Sequence, residues 1–383
     1  MIKQRLEIES IEELDQYVRG GGSLGGCVFQ GLDLRGHTAM LMGGSLADTV
    51  FLGCRVASEA VAHAHATGAV FFPALPDLPY SMYRPLLYSV AELYDGYQRG
   101  LPGSYDRAFD YRVYRHYSQS RKVKDILEDL AQRIHDHAVT DALQDFVASG
   151  QRKVTSIMGG HALSRVDPMY RLVAKLGYEL SRAGFCVATG GGPGAMEAGH
   201  LGAYFAARGA DEIDAALAVL ANAPAMLPID AWLDAAFEVR ARFPVSPEEA
   251  ARCPSVALPT WLYGHEPPNA FATHIAKYFD NSVREEGVLA IGLYGVVYAP
   301  GSAGTIQEIF QDAAQNHYTT YGFASPMVFL GKSYWTENKP VYPLLKQLAA
   351  GHDYERWLFL SDDVDAIVAH LRAFAAERAA AAR

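Results

Sequence analysis

Cysteine is scarce, with four residues in a chain of 383: Cys27, Cys54, Cys186 and Cys253. They stand far apart and form no CxxC pair, so buried thiols are expected, not a disulfide framework or a zinc site. The HxH pairs His63/His65 and His135/His137 have no third ligand nearby in sequence, and no metal is expected. Long apolar runs are missing too. No stretch of about 18 or more apolar residues occurs, which argues against a membrane span. The opening residues, Met1-Ile2-Lys3-Gln4-Arg5-Leu6-Glu7, are charged and lack the apolar core of a secretion signal. An excess of positive charge is also lacking: 33 Lys and Arg face 43 Asp and Glu, for a net charge of -10. That balance disfavours a nonspecific nucleic-acid binder. A cytoplasmic globular protein with no nucleic-acid or membrane partner is the expectation.

What is present is ordinary globular composition, half hydrophobic and one fifth charged. The length accommodates two domains at roughly 150 residues each. Residues 1–148 read as an accessory unit. Its glycine-rich part has short apolar beats at Val28-Phe29, Leu32, Leu34, Met40-Leu41, Leu46 and Val50-Phe51, about every five residues. Those beats suggest stacked short strands or coils, or else a small irregular β region. Helical spacing follows at Ile126, Leu127, Leu130, Ile134, Ala138, Leu143 and Phe146.

From residue 149 the texture alternates between strand and helix. Val154 to Met158 and Phe185 to Thr189 read as strands, Tyr170 to Ala183 and Ala195 to Ala207 as helices. Ser255 to Leu258, Val288 to Ala299 and Pro326 to Leu330 supply later strands, and Val364 to Ala380 a closing helix. Residues 208–252 exceed a minimal βα unit and read as an insertion. Near-continuous apolar strands alternating with helices predict an α/β fold, a Rossmann-like doubly wound parallel sheet covered on both faces, with a smaller mixed N-terminal domain.

Ligands of such sheets bind beyond the carboxyl ends of the strands. Three segments fall there: Gly159-Gly160-His161, then Gly190-Gly191-Gly192-Pro193-Gly194-Ala195-Met196-Glu197, then Pro300-Gly301-Ser302-Ala303-Gly304-Thr305-Ile306-Gln307-Glu308. Small residues let the backbone approach a phosphate, and the first N–H groups of the following helix point at it. Glu308 adds a carboxylate in the first helical turn, as expected where a sugar phosphate is both held and attacked. The aromatic loop Trp261 to Asn269, with His265, reads either as a base-stacking loop or as an ordered structural one. The pattern Gly190-x-Gly192-x-x-Ala195 also fits a loose dinucleotide fingerprint. That fingerprint requires a strand ending in an acidic residue roughly 20 positions on, and the region after Gly209 reads as helix instead.

The paired motifs, Thr189 to Ala198 with Pro300 to Glu308, resemble those of the LOG (Lonely Guy) family of nucleoside 5′-monophosphate phosphoribohydrolases. The resemblance covers about residues 150–375 and is nearer to the long bacterial nucleotide nucleosidases than to the short members. It implies a hydrolase that cleaves the N-glycosidic bond of a nucleoside monophosphate, giving free base and ribose 5-phosphate, with no cofactor and as a homodimer or higher homo-oligomer. It implies Glu308 and Arg284 as catalytic residues and Gly301 to Thr305 as the phosphate turn. Two positions depart from the family pattern, Ser302 for glycine and Gln307 for an acidic residue. They keep a second reading open, a non-catalytic protein that senses a mononucleotide or alarmone.

Overall fold

The computed structural model describes residues 5–123 and 125–381. Eleven strands occur among them: β1 (Glu7–Ile8), β2 (Val28–Gln30), β3 (Val50–Leu52), β4 (Val70–Phe72), β5 (Lys153–Met158), β6 (Phe185–Thr189), β7 (Ser255–Ala257), β8 (His274–Ile275), β9 (Val296–Tyr298), β10 (Met327–Phe329) and β11 (Leu358–Leu360). The chain divides into two compact units, each discontinuous in sequence. The first comprises Met1–Leu87 and Gln119–Gln144, the second Tyr88–Ser118 and Asp145–Arg383.

In the first unit β1 to β4 form a parallel sheet in sequential order, joined through the helices Ile11–Arg19, Thr38–Gly43 and Ser58–Ala66. Its register aligns Phe29 with Phe51 and Phe51 with Phe71. The three rings stack at 5.2 and 4.5 Å between centroids, over a core containing Leu14, Leu34, Leu41 and Ala60. The five-residue beats do not build a stacked coil. What repeats is a Val-Phe strand, starting at residues 28, 50 and 70, with a helix between successive strands.

The second unit is α/β, Rossmann-like, around a seven-stranded sheet of order β11-β10-β9-β5-β6-β7-β8 in which every pairing is parallel. From β5 the chain winds outward through β6, β7 and β8, then returns to the centre and winds the other way from β9. The order therefore reverses between β5 and β9, whose register pairs Ile157 with Val297 and Met158 with Tyr298. The strands are buried almost throughout because helices cover both faces, including Pro168–Arg182, Ala195–Phe205, Asn281–Ile291 and Ala303–His317.

The apolar run from Val288 to Ala299 is not one strand. Its first part completes the helix Asn281–Ile291, and only Val296–Tyr298 joins the sheet. A short buried apolar run looks the same in either state, and here the turn through Gly292 and Gly295 divides it. Residues 208–252 contribute the helices Asp211–Leu220, Ile229–Arg242 and Pro247–Arg252. Among the described residues no helix is long and apolar enough to cross a membrane.

Candidate functional site

The reversal between β5 and β9 is where an open parallel sheet leaves a crevice beyond its carboxyl edge. The two strands run straight into two of the sequence motifs. After β5 come Gly159 and Gly160; after β9 come Pro300 and Gly301. They touch, since the Gly160 N–H donates to the Pro300 carbonyl at 3.0 Å. The third motif closes on the same point. The Ala195 N–H donates to the Gly160 carbonyl at 3.1 Å, and Gly194 has a φ of +69°. A β-carbon on Gly194 would lie 2.4 Å from the Gly160 oxygen, so only glycine fits there.

The turn after β9 is open to an anion. Helix Ala303–His317 begins at Ser302, which makes no side-chain cap, and its first turn carries no acidic residue, because Glu308 falls in the second turn and not in the first as the motif suggested. The first intrahelical bond is Ile306 N–H to the Ser302 carbonyl at 2.9 Å, so the amides of Ala303, Gly304 and Thr305 stand before the ladder begins. Ser302 has a φ of -113°, a conformation open to any residue, so serine in place of glycine imposes no backbone strain. Gly301 has no room for a side chain, because a β-carbon would meet the Thr305 hydroxyl at 2.2 Å.

A cation absent from the sequence reading stands at this turn. Lys339 donates to the Gly301 carbonyl and to the Ser302 hydroxyl, both at 3.1 Å. Its neighbour Tyr334 also donates to the Gly301 carbonyl, and Trp335 bonds the Tyr298 carbonyl at 3.0 Å. The segment after β10 thus braces the end of β9. No spacing in the sequence links residues 334–339 to residue 301.

Arg284 and Glu308 face each other from adjacent helices, with 3.6 Å between Nη1 and Oε1 and only 13% exposure for each side chain. Burial pushes the Glu308 carboxyl up to about 7; the Arg284 charge opposes this and the Glu285 charge adds to it. Among the described residues the buried Nε of Arg284 has no hydrogen-bond partner. Gln307 donates to Glu285 at 2.8 Å, which ties the helix carrying Glu308 to the helix carrying Arg284. Gly190 adjoins this pair: a β-carbon there would lie 3.8 Å from the Arg284 guanidinium and 2.8 Å from the Met196 sulfur. Met196 also packs on Gly192.

The rest of the glycine turn is held from beneath. Asn269, fully buried, donates from its amide nitrogen to the carbonyls of Gly191 (3.0 Å) and Gly192 (3.3 Å) and to Nδ1 of His200 (3.0 Å). Burial lowers His200 to about 4, so the ring is neutral, and its Nε2–H donates to the Val256 carbonyl. Glu197 turns inward. Both of its oxygens are taken by Arg165 and one also by the Tyr170 hydroxyl at 2.9 Å. Trp261 is wholly buried and bonds Asp110, while His265 stands exposed at the tip of the same loop. His161 lies 3.8 Å from Glu266. Among the described residues the one trio of metal-type ligands within reach of one another is Glu7, Glu9 and Asp141, in the first unit.

Backbone bonds thus join the turns at Gly160, Gly194 and Pro300, Lys339 bonds the Gly301 turn, and Gly190 adjoins Met196 and Arg284, which pairs with Glu308. Free amides with two cations suit a phosphoryl or other oxyanion.

No family model matches the chain, and no curated protein matches it. Solved structures that are similar include one described as the Moco carrier protein from Chlamydomonas reinhardtii, 14% identical, covering 59% of this chain and 99% of that one, with a TM-score of 0.38. Another is described as the molybdenum cofactor binding protein from the phototrophic bacterium Rippkaea orientalis, 13% identical, covering 58% of this chain and 96% of that one, with a TM-score of 0.34. At that level the likeness assigns no ligand. These findings correct the LOG-family resemblance and the hydrolase it implied. No family model supports the nucleosidase assignment, and the matched structures are described as carriers and binding proteins, not glycosidases.

Proposed function

We propose that the chain holds a phosphorylated small molecule in the crevice between β5 and β9 without cleaving it. The observation that carries this reading is the turn Gly301 to Thr305 at the reversal of strand order, opening uncapped amides beside Lys339. In this reading the phosphoryl group sits on the amides of residues 303–305. Lys339 swings from the Ser302 hydroxyl to the ligand, and the free Nε of Arg284 takes a further oxygen. A neutral Glu308 donates a hydrogen bond to an oxyanion, which a carboxylate would repel.

The test is calorimetric titration of the full chain with inorganic phosphate, a nucleoside monophosphate, an alarmone and the molybdenum cofactor, followed by recovery of the ligand. A phosphorylated molecule is expected to bind and to be recovered intact. Arg284→Gln and Lys339→Met are each expected to weaken binding about tenfold or more, the scale of one charge-assisted hydrogen bond. Binding unaffected by both substitutions, or binding to no phosphorylated ligand, overturns the reading.

A further inference from the structure

A second cavity lies at the other end of the same sheet. It opens beside Cys253, just before β7, and Thr273, just before β8, at the amino ends of these strands, whereas the crevice lies at the carboxyl ends. Its volume is about 350 Å³, within the range of small-ligand sites. Val90, Val245, Ala250 and Phe271 give it an apolar lining, and Arg240 reaches into it.

The hydroxyls and the carboxylate of this lining are matched internally, and its cation is the exception. The Tyr204 hydroxyl donates to the Phe243 carbonyl at 2.8 Å. Thr273 donates to the Ser255 carbonyl and also bonds Nδ1 of His274, a ring whose pKa burial lowers. The lining's one carboxylate, Glu249, accepts the Ser246 N–H at 2.8 Å in a capping box. Arg240 is the exception. Its guanidinium donates to the Ala270 carbonyl at 2.6 Å and lies 5.5 Å from the Tyr204 ring centre, and no described carboxylate pairs with it. A desolvated cation without a counter-charge is costly unless something supplies one.

We propose that this cavity is a second binding site, for a small organic acid with a compact apolar body whose carboxylate pairs with Arg240. One guanidinium in an apolar chamber suits a monoanion. A phosphoryl dianion needs the several donors that the crevice provides and this cavity does not.

The test is calorimetric titration of the full chain with 3-phenylpropanoate and with its uncharged amide. The acid is expected to bind, and the amide to bind about tenfold more weakly or worse, as expected for loss of a charge-assisted contact. Arg240→Met is expected to remove the preference for the acid. Ala250→Phe, which fills the chamber from a partly exposed helix, is expected to abolish binding of both while the thermal melt stays unchanged. The second variant keeps the test valid if the first does not fold. Equal binding of acid and amide, no binding of either at millimolar concentration, or binding that persists in Ala250→Phe overturns the proposal.

Discussion

Glu308 stands 3.6 Å from a guanidinium, yet burial raises its carboxyl to about 7, so desolvation outweighs the ion pair. The sign of the consequence follows from linkage. The folded pKa is above the ordinary 4.5 of an exposed glutamate. Its contribution to stability is therefore fully present below that value and is lost as pH rises through about 7. Across that window the loss amounts to about 3 kcal/mol. Glu308→Gln removes the titration. In denaturant melts the variant should therefore gain on the parent steadily between weakly acidic and weakly alkaline pH. A difference between the two proteins that stays constant with pH would count against this. Asp312, one turn on, is also raised to about 7 by burial, and the variant retains that slope.

At the scale of elements, helices Pro168–Arg182 and Ala195–Phe205 meet backbone to backbone. A β-carbon on Gly202 would lie 2.0 Å from the Ala174 carbonyl oxygen, and one on Gly177 would lie 2.2 Å from that of Gly199. A helix interior ordinarily prefers alanine to glycine by roughly 1 kcal/mol. Here that preference reverses. Gly202→Ala should cost about 3 kcal/mol or more by forcing the helices apart, whereas Gly209→Ala, with nothing within 4 Å, should stay within about 0.5 kcal/mol. Equal melts for the two variants would contradict the contact. The same elements show what the chain discloses before it folds. Two glycine turns, each after an apolar strand and before a helix, were readable because both partners are local. Asn269 and Lys339 were not, since each reaches its turn from a loop distant in sequence. The helix at Val288 was not readable either, because burial erases the periodicity that separates helix from strand. The inward turn of Glu197 depends on Arg165 and Tyr170, which no local pattern connects to it. In the first unit the Val-Phe pairs at 28 and 50 stood among the apolar beats, but the nearer beats between them and the third pair at 70 obscured the longer repeat.

At the scale of the molecule, the second unit does not begin where the strand–helix alternation begins. Tyr88–Ser118 belongs to it, and what anchors that segment is a buried charge. Asp110 and Lys277 are both fully buried and ion-paired. Asp110 also accepts from the Trp261 indole at 2.9 Å and the Tyr105 hydroxyl at 2.8 Å. Burial holds the Lys277 pKa down, and Asp110 is what opposes that. Removing one partner of such a pair costs about 3–5 kcal/mol, a large share of the 5–15 kcal/mol that holds a typical domain together. A fragment starting at residue 149 carries Lys277 without Asp110, and it also loses the Tyr88 bridge to Ile275 at the edge of the sheet. It should show helical content without a cooperative melt. In the full chain Asp110→Asn should lower the melting temperature by several degrees, and Lys277→Met added to Asp110→Asn should restore part of the loss, since asparagine still accepts from Trp261 and Tyr105. A 149–383 fragment that melts as sharply as the whole chain would show that the buried pair does not hold the unit together.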